Sequence, residues 1–314
     1  MIAFEYRTPK SLKEVHATLK EFGSDAKLIA GGTSLVIMMR QRLVRPNCLV
    51  SLRSVRGLNS IEIHDGGTRI GGLATHREVE SSSLLRRRLP ILADTYHHVA
   101  TIRVRNMATV GGGLAHADPN QDPPPTLIAL GATVKATSAD GSRVIPLDEF
   151  FTDYYETVLK PDEIVTEVFV PKMAANSAGA YLKFLPRTAD DYATVSAAAV
   201  LTLDKTGKTI NDVRIALGSV GVTPIRATAA EAVLRGQPLK AEAFAEAGEK
   251  AKEAVDPVSD FRGSAAYKKE MAGVFVRRAL EKALATLRQQ AKQRPGLKAI
   301  KKAIKKAVKK GKKR

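Results

Sequence analysis

Two glycine runs constrain this chain more than anything else in it. One is Gly31-Gly32, directly after the apolar stretch KLIA at 27–30; the other is Gly111-Gly112-Gly113, inside TVGGGLAHADPNQDPPP at 109–125. Consecutive glycines let backbone approach backbone or ligand with no Cβ between them, and after a strand their amides can surround phosphate oxygens. A helix beginning at Ser34 would add its positive end. The prolines at 123–125 supply stiffness and no amide donors, so the second stretch is expected to touch something and then turn away. Together the two runs suggest a pyrophosphate cradle, whereas either alone is more often an ordinary tight turn. Neither has the spacing GxxxxGK(S/T), or GxGxxG opening a helix, which disfavours the familiar nucleoside triphosphate and dinucleotide folds.

Periodicity divides the rest into regions. In 1–56, Ser11 and Glu14 make a capping-box pattern ahead of a helix carrying Leu12, Val15, Leu19 and Phe22 on one face, and Gly23 ends it. The strand KLIA, a helix over SLVIMMRQRL and the strand CLVSLRS at 48–54 complete a small β-loop-α-β unit. In 57–175, SIEIH and TRIGGLATH flank a turn at Asp65-Gly66-Gly67, helices are expected over about 77–100 and 126–130, and ATVKAT, RVIPL and EIVTEVFVP read as strands. In 176–291, three strands (AYLKFLP, TVSAAAVLTL, VRIALGSVG) precede helices. Thr223 before Pro224 predicts one helix start, and 267–290 predicts a long amphipathic helix over a sheet face.

Charge first points elsewhere. The net charge is +18, but twelve of the cations and no acid lie in 292–314, which leaves +6 for the other 291 residues. That segment, probed alone, is expected to be disordered; Leu297, Ile300, Ile304 and Val308 recur at helical spacing and suit an anionic membrane surface, nucleic acid or an acidic partner, and a plain solvated extension fits equally. The body has 5% aromatic residues and no stacking motif, which counts against nucleic-acid binding there. A single cysteine, Cys48, excludes an internal disulfide and an iron–sulfur cluster of the chain's own, so redox chemistry needs a borrowed cofactor. No secretion signal or membrane span is read, and a cytoplasmic location is expected, with the basic segment as an attachment to the inner face of the membrane.

AGGTSLVIMMR and TVGGGLAHADPNQDPPPTLIALGA, in this order and separation, resemble the two FAD-binding motifs of the medium, flavin-carrying subunit of molybdenum hydroxylases, the family of xanthine dehydrogenase and aerobic carbon monoxide dehydrogenase. Arg105-Asn106 before the second motif, LIALGA after it and KFLPRTADDYATVSAA extend the similarity across about residues 1–290, nearest to the carbon monoxide dehydrogenase-like branch, where an AHADP-type segment also occurs. The resemblance implies an α+β architecture: a two-part FAD domain of the vanillyl-alcohol oxidase type, then a smaller C-terminal domain with a three-stranded antiparallel sheet and helices. It implies that Ile29, Ala30, Gly31, Gly32, Thr33, Ser34 and Leu35 wrap the FAD pyrophosphate and that Thr109, Gly111, Gly112 and Gly113 form a second wall. Asp122 matches an acid bonded to the cofactor's sugar portion, Lys183 a lysine near the flavin end, and Thr75 and His76 a segment lining the site. Gly113 stands where many relatives have asparagine, which leaves contact there to the backbone.

The implied function is an FAD-dependent oxidoreductase subunit that needs no nucleophile of its own. Its implied partners are an iron–sulfur small subunit and a molybdopterin large subunit in a dimer of heterotrimers, with NAD or a quinone as acceptor. A self-sufficient FAD oxidase or reductase of the same fold is the alternative. His116 beside Asp118 invites a catalytic dyad, but an Asp in a proline-bounded loop more often closes a turn and a His fills a half-buried polar position. His97 and His98 are adjacent on a predicted helix and point to different faces, a poor arrangement for one metal.

Overall fold

The computed structural model describes residues 3–185, 187–188 and 191–293. The basic segment lies outside them beyond its first two residues, as does Asp190. The N-terminal part holds β1 (Glu5–Arg7), α1 (Leu12–Phe22), β2 (Ala26–Ile29), α2 (Leu35–Arg40) and β3 (Cys48–Ser51). Ser11 caps α1, accepting from the Glu14 amide, and Val15 and Leu19 seat the helix on β3 through Cys48 and Val50. β3 lies between β1 and β2, parallel to both. Parallel pairing forces a crossover between β2 and β3; the turn into it is Gly31-Gly32, and α2 is part of it.

The middle part holds β4 (Ile61–His64), β5 (Gly67–Gly71), six helices, and β6 (Thr133–Ser138), β7 (Gly141–Pro146), β8 (Phe151–Asp153), β9 (Glu156–Thr157) and β10 (Ile164–Val170). The helices are α3 (His76–Ser81), α4 (Ser83–Arg88), α5 (Pro90–His97), α6 (Ile102–Met107) and α7 (Val110–His116), followed by α8 (Pro123–Ala129). An antiparallel sheet of order β4-β5-β10-β6-β7 carries them. Asp65 and Gly66 both take positive φ, 43° and 76°, which closes the β4–β5 hairpin as the Asp-Gly signal predicts.

The C-terminal part is an antiparallel sheet of β11 (Ser177–Phe184), β12 (Val195–Leu203), β13 (Ile210–Gly218) and β14 (Ile225–Arg226). It is covered by α9 (Thr228–Ala232), α10 (Ala241–Ala251) and α11 (Ala265–Gln293). Small residues on both sides of the contact, Ala197 and Ala199 of β12 and Ala272, Ala279 and Ala283 of α11, let the long helix lie close on the sheet.

Four local expectations are corrected. The Gly111–Gly113 run is not a loop: Thr109 caps it through the Gly112 amide, and it forms the first turns of α7. The prolines at 123–125 do not lead the chain away but open α8, where missing N–H groups cost nothing, and all three are buried. Pro224 starts no helix. Arg226 instead reaches Asp148 and Glu231, each at 3.0 Å, which holds 225–226 extended against β13, so the sheet has four strands and not three, and α9 begins at Thr228.

Candidate functional site

A cleft of about 600 Å³ runs between the N-terminal and middle parts and on to β11, within the size range of small-molecule sites. Of the residues singled out in the sequence, Ile29, Ala30, Gly31, Gly32, Thr33, Ser34, Leu35, His76, Thr109, Gly111, Gly112, Gly113, Asp122 and Lys183 line it. Thr75 stands just behind. Its hydroxyl accepts from the Glu78 amide and Glu78 accepts from the Thr75 amide, a complete capping box on α3, and a β-bridge joins Thr75 to Thr109.

The two glycine runs have different jobs. In the first, the amides of Gly31, Gly32, Thr33 and Ser34 donate to no described residue, so four N–H groups are available to a ligand. Gly32 has a φ of +70°, which glycine adopts without strain. A β-carbon on Gly31 would collide with the Met107 carbonyl and lie 2.9 Å from the Ala108 Cα, so this glycine is what allows the loop to close on the end of α6.

In the second run the amides are already used. Val110 donates to Ala74 at 2.9 Å, Gly111 to Gly72 at 2.8 Å, Gly113 to Thr109 at 2.9 Å, and Gly112 to the Thr109 hydroxyl at 3.2 Å. A β-carbon on Gly111 would stand 2.8 Å from the Gly72 carbonyl and 2.9 Å from that of Val165. This run therefore supplies close packing and a smooth wall, not free donors. The arrangement fits an extended anionic ligand: four amides without a partner among the described residues on one wall, and the close-packed Gly111–Gly113 turn on another.

At another end of the cleft sits a buried ion pair. Lys183 Nζ donates to Asp122 at 2.9 Å and to the His98 carbonyl at 3.1 Å, and the Tyr181 hydroxyl donates to the other Asp122 oxygen. Both side chains are almost inaccessible, 3% and 5%. Burial pushes the Asp122 carboxyl above its usual range against the opposing pull of the Lys183 charge and the Tyr181 hydroxyl. Two residues that the sequence assigns to different portions of a ligand thus form one electrostatic unit.

The segment after α5 is held in place by a second buried pair that sequence reasoning missed. Arg105 donates to Glu80 at 3.0 Å and to the carbonyls of Val99 and Ala100 at 2.8 Å each; both residues line the cleft, and Ala100 has a φ of +38°. Arg77 and His97 complete the partners of the Glu80 carboxylate. Burial raises the Glu80 carboxyl, but the hydrogen bonds from His97, Arg77 and Arg105 outweigh it and bring it down to about 2. The signal in the sequence is Arg105-Asn106, which carries a family resemblance but does not itself reveal the pairing with Glu80.

His76 is buried edge-on against Tyr96, ring centroids 5.0 Å apart, and its Nδ1 has no partner among the described residues. Burial lowers its imidazole to about 4, so it is neutral near pH 7. His116 and Asp118 do not form a dyad. Asp118 accepts from the Asn120 amide and from the Tyr192 hydroxyl, closing a turn, and His116 lies against Tyr155 with centroids 5.1 Å apart. No metal-ligating cluster occurs among the described residues, and no described helix is long and apolar enough to cross a membrane.

Family models agree with this geometry. Residues 2–173 match the FAD binding domain in molybdopterin dehydrogenase, and residues 180–283 match the CO dehydrogenase flavoprotein C-terminal domain. The chain is 38% identical over 282 residues to the carbon monoxide dehydrogenase medium chain of Hydrogenophaga pseudoflava, covering 90% of this chain and 97% of the relative. It is 36% identical over 284 residues to the nicotine 6-hydroxylase medium subunit of Paenarthrobacter nicotinovorans, with coverage of 90% and 97%. Among solved structures, carbon monoxide dehydrogenase from Hydrogenophaga pseudoflava superposes with a TM-score of 0.88 at 40% identity over 91% of this chain and 99% of that one. Quinoline 2-oxidoreductase from Pseudomonas putida 86 gives 0.85 at 35% identity, covering 91% and 98%.

Proposed function

The chain belongs to the family of FAD-binding medium subunits of molybdenum-containing dehydrogenases, and from that premise we propose that it is the electron-transfer link of such an enzyme. In this role it takes electrons from a 2Fe–2S subunit and passes them by way of FAD to NAD, a quinone or another acceptor. The molybdopterin-bearing large subunit would hold the substrate pocket, in a dimer of heterotrimers placed in the cytoplasm. The observation that carries the reading is the set of four amides at 31–34 with no partner among the described residues, in a cleft also lined by Gly111–Gly113 and by the buried Lys183–Asp122 pair.

FAD supplies the ability to accept and release electrons singly or in pairs. The protein supplies place and field. The amides of Gly31, Gly32, Thr33 and Ser34, with the Thr33 and Ser34 hydroxyls, are donors for the pyrophosphate. Gly111 lets α7 pack on the Gly72 and Val165 carbonyls, and Gly31 lets the loop close on the end of α6. Lys183, fixed in position by Asp122, would lie near the flavin end, where its ammonium group would favour the reduced cofactor. His76, kept neutral by burial, lines the site without bringing a second positive charge.

Reconstitution of the purified chain with FAD tests these roles. The expected result is one bound flavin per chain with a protein-bound absorption spectrum, loss of binding in Gly112→Asp, and an altered flavin reduction potential in Lys183→Ala. Absence of bound flavin, with no effect of either substitution, refutes the reading. Substrate-dependent bleaching of the flavin by the chain alone would favour the self-sufficient oxidase or reductase instead.

A further inference from the structure

Gly113 sits where its own backbone gives no reason for a glycine. It lies inside α7 and outside the left-handed region, and at such a position alanine is the better helix former. Its neighbours differ. A β-carbon on Gly111 would meet the carbonyls of Gly72 and Val165, and one on Gly112 would stand 2.7 Å from the Thr109 hydroxyl that caps the helix. On Gly113 the close neighbour would be the side chain of Gln121, whose Oε1 lies 3.0 Å away; the His76 ring, at 3.5 Å, is in ordinary contact.

Gln121 is held there by Gly113 itself. Its Nε2 donates to the Gly113 carbonyl at 2.9 Å, and its backbone amide donates to the Asp118 carbonyl at 3.2 Å. The side chain thus reaches from the turn between Asp118 and Asp122 back to α7, and Gln121 lines the cleft together with Gly113 and His76. A glutamine amide carries two N–H groups and one carbonyl oxygen. One N–H is used, while the other and Oε1 have no partner among the described residues. A half-buried amide with an unspent donor and acceptor at a cleft wall is placed to meet a ligand.

The surroundings indicate which portion of the ligand it meets. A β-carbon on Gly112, one residue before Gly113, would lie 3.6 Å from the Ala30 β-carbon, and Ala30 leads directly into the amides of 31–34 that have no partner among the described residues. We propose that Gln121 is a further cofactor-binding residue: its second N–H donates to an oxygen of the phosphate–ribityl portion of the flavin nucleotide, and position 113 is a glycine because any side chain there would push that amide aside. This rests on the FAD reading above.

Titration of the full chain with FAD, alongside thermal unfolding of the FAD-free chain, tests the proposal. Gln121→Ala should weaken FAD binding by roughly tenfold or more, as expected for a hydrogen bond to a charged acceptor. Gln121→Glu keeps the shape but sets a carboxylate near the phosphates, and should weaken binding further than Gln121→Ala. Gly113→Ala should weaken FAD binding about as much as Gln121→Ala, yet the FAD-free chain should unfold at the same temperature or a higher one, which a glycine kept only for packing would not allow. In the double variant the two losses should not add, because the amide that Gly113→Ala displaces is already gone. Unchanged FAD affinity in Gln121→Ala, affinity in Gln121→Glu equal to or above that of Gln121→Ala, or fully additive losses in the double variant overturn the proposal. Failure of the unsubstituted chain to bind FAD overturns instead the FAD reading on which the proposal rests.

Discussion

Glu80→Gln isolates the pair that fixes the cleft's rear wall. The Glu80 side chain is 5% exposed and contacts Arg77, His97 and Arg105, and its carboxyl falls from 4.5 to about 2. A depression of that size is worth about 3 kcal/mol of stability when the group is ionised. That agrees with the ~3–5 kcal/mol lost on breaking a buried ion pair. Because the folded value lies below the unfolded one, the contribution is complete above about pH 4.5 and disappears as pH falls towards 2. Guanidinium unfolding of the FAD-free chain should therefore place E80Q about 3 kcal/mol below the parent at pH 7 and at pH 5, with the gap narrowing at pH 4 and further at pH 3.5. FAD affinity should fall too, since Arg105 holds the carbonyls of Val99 and Ala100. A gap under about 1 kcal/mol at pH 7, or one that stays constant down to pH 3.5, refutes the reasoning.

Other outcomes follow from the same geometry. Gly31→Ala sets a β-carbon against the Met107 carbonyl; overpacking of this kind costs ~1–3 kcal/mol, and equilibrium dialysis should show FAD binding weakened at least tenfold. Lys183→Met leaves Asp122 buried without its cation and should destabilise the fold by ~3–5 kcal/mol, whereas adding Asp122→Asn should recover part of that loss in a double-mutant cycle. His76 has a folded value of about 4 against 6.5 for the free side chain. Its neutral form is the one that folds, so stability is complete above pH 6.5 and declines as pH falls towards 4; His76→Gln should flatten that part of the pH–stability curve.

The sequence carried the site's composition better than its local conformation. Glycine runs at 31–32 and 111–113 mark close backbone approach whatever the secondary structure, so their place in the cleft was legible. Their division of labour was not. Whether an amide is free depends on carbonyls distant in sequence, such as Gly72 for Gly111, and only the fold brings those together. The Thr223-Pro224 signal failed for a similar reason: a cap preference of about 1 kcal/mol lost to the Arg226 contacts with Asp148 and Glu231. Lys183 and Asp122 were each singled out, but their pairing spans 61 residues, and no local pattern encodes it. Strands with strong alternation or long apolar runs, such as β10 and β12, and the amphipathic α11 were predicted because their burial is written into their own periodicity.

The most direct test of the account is an anaerobic rapid-mixing experiment. The chain, loaded with oxidised FAD, is mixed with its chemically reduced iron–sulfur subunit, and flavin absorbance is followed. The account predicts bleaching of the bound flavin with matching reoxidation of the iron–sulfur subunit, dependent on complex formation and absent when FAD is omitted. A flavin that stays oxidised while the two proteins are fully associated would contradict it.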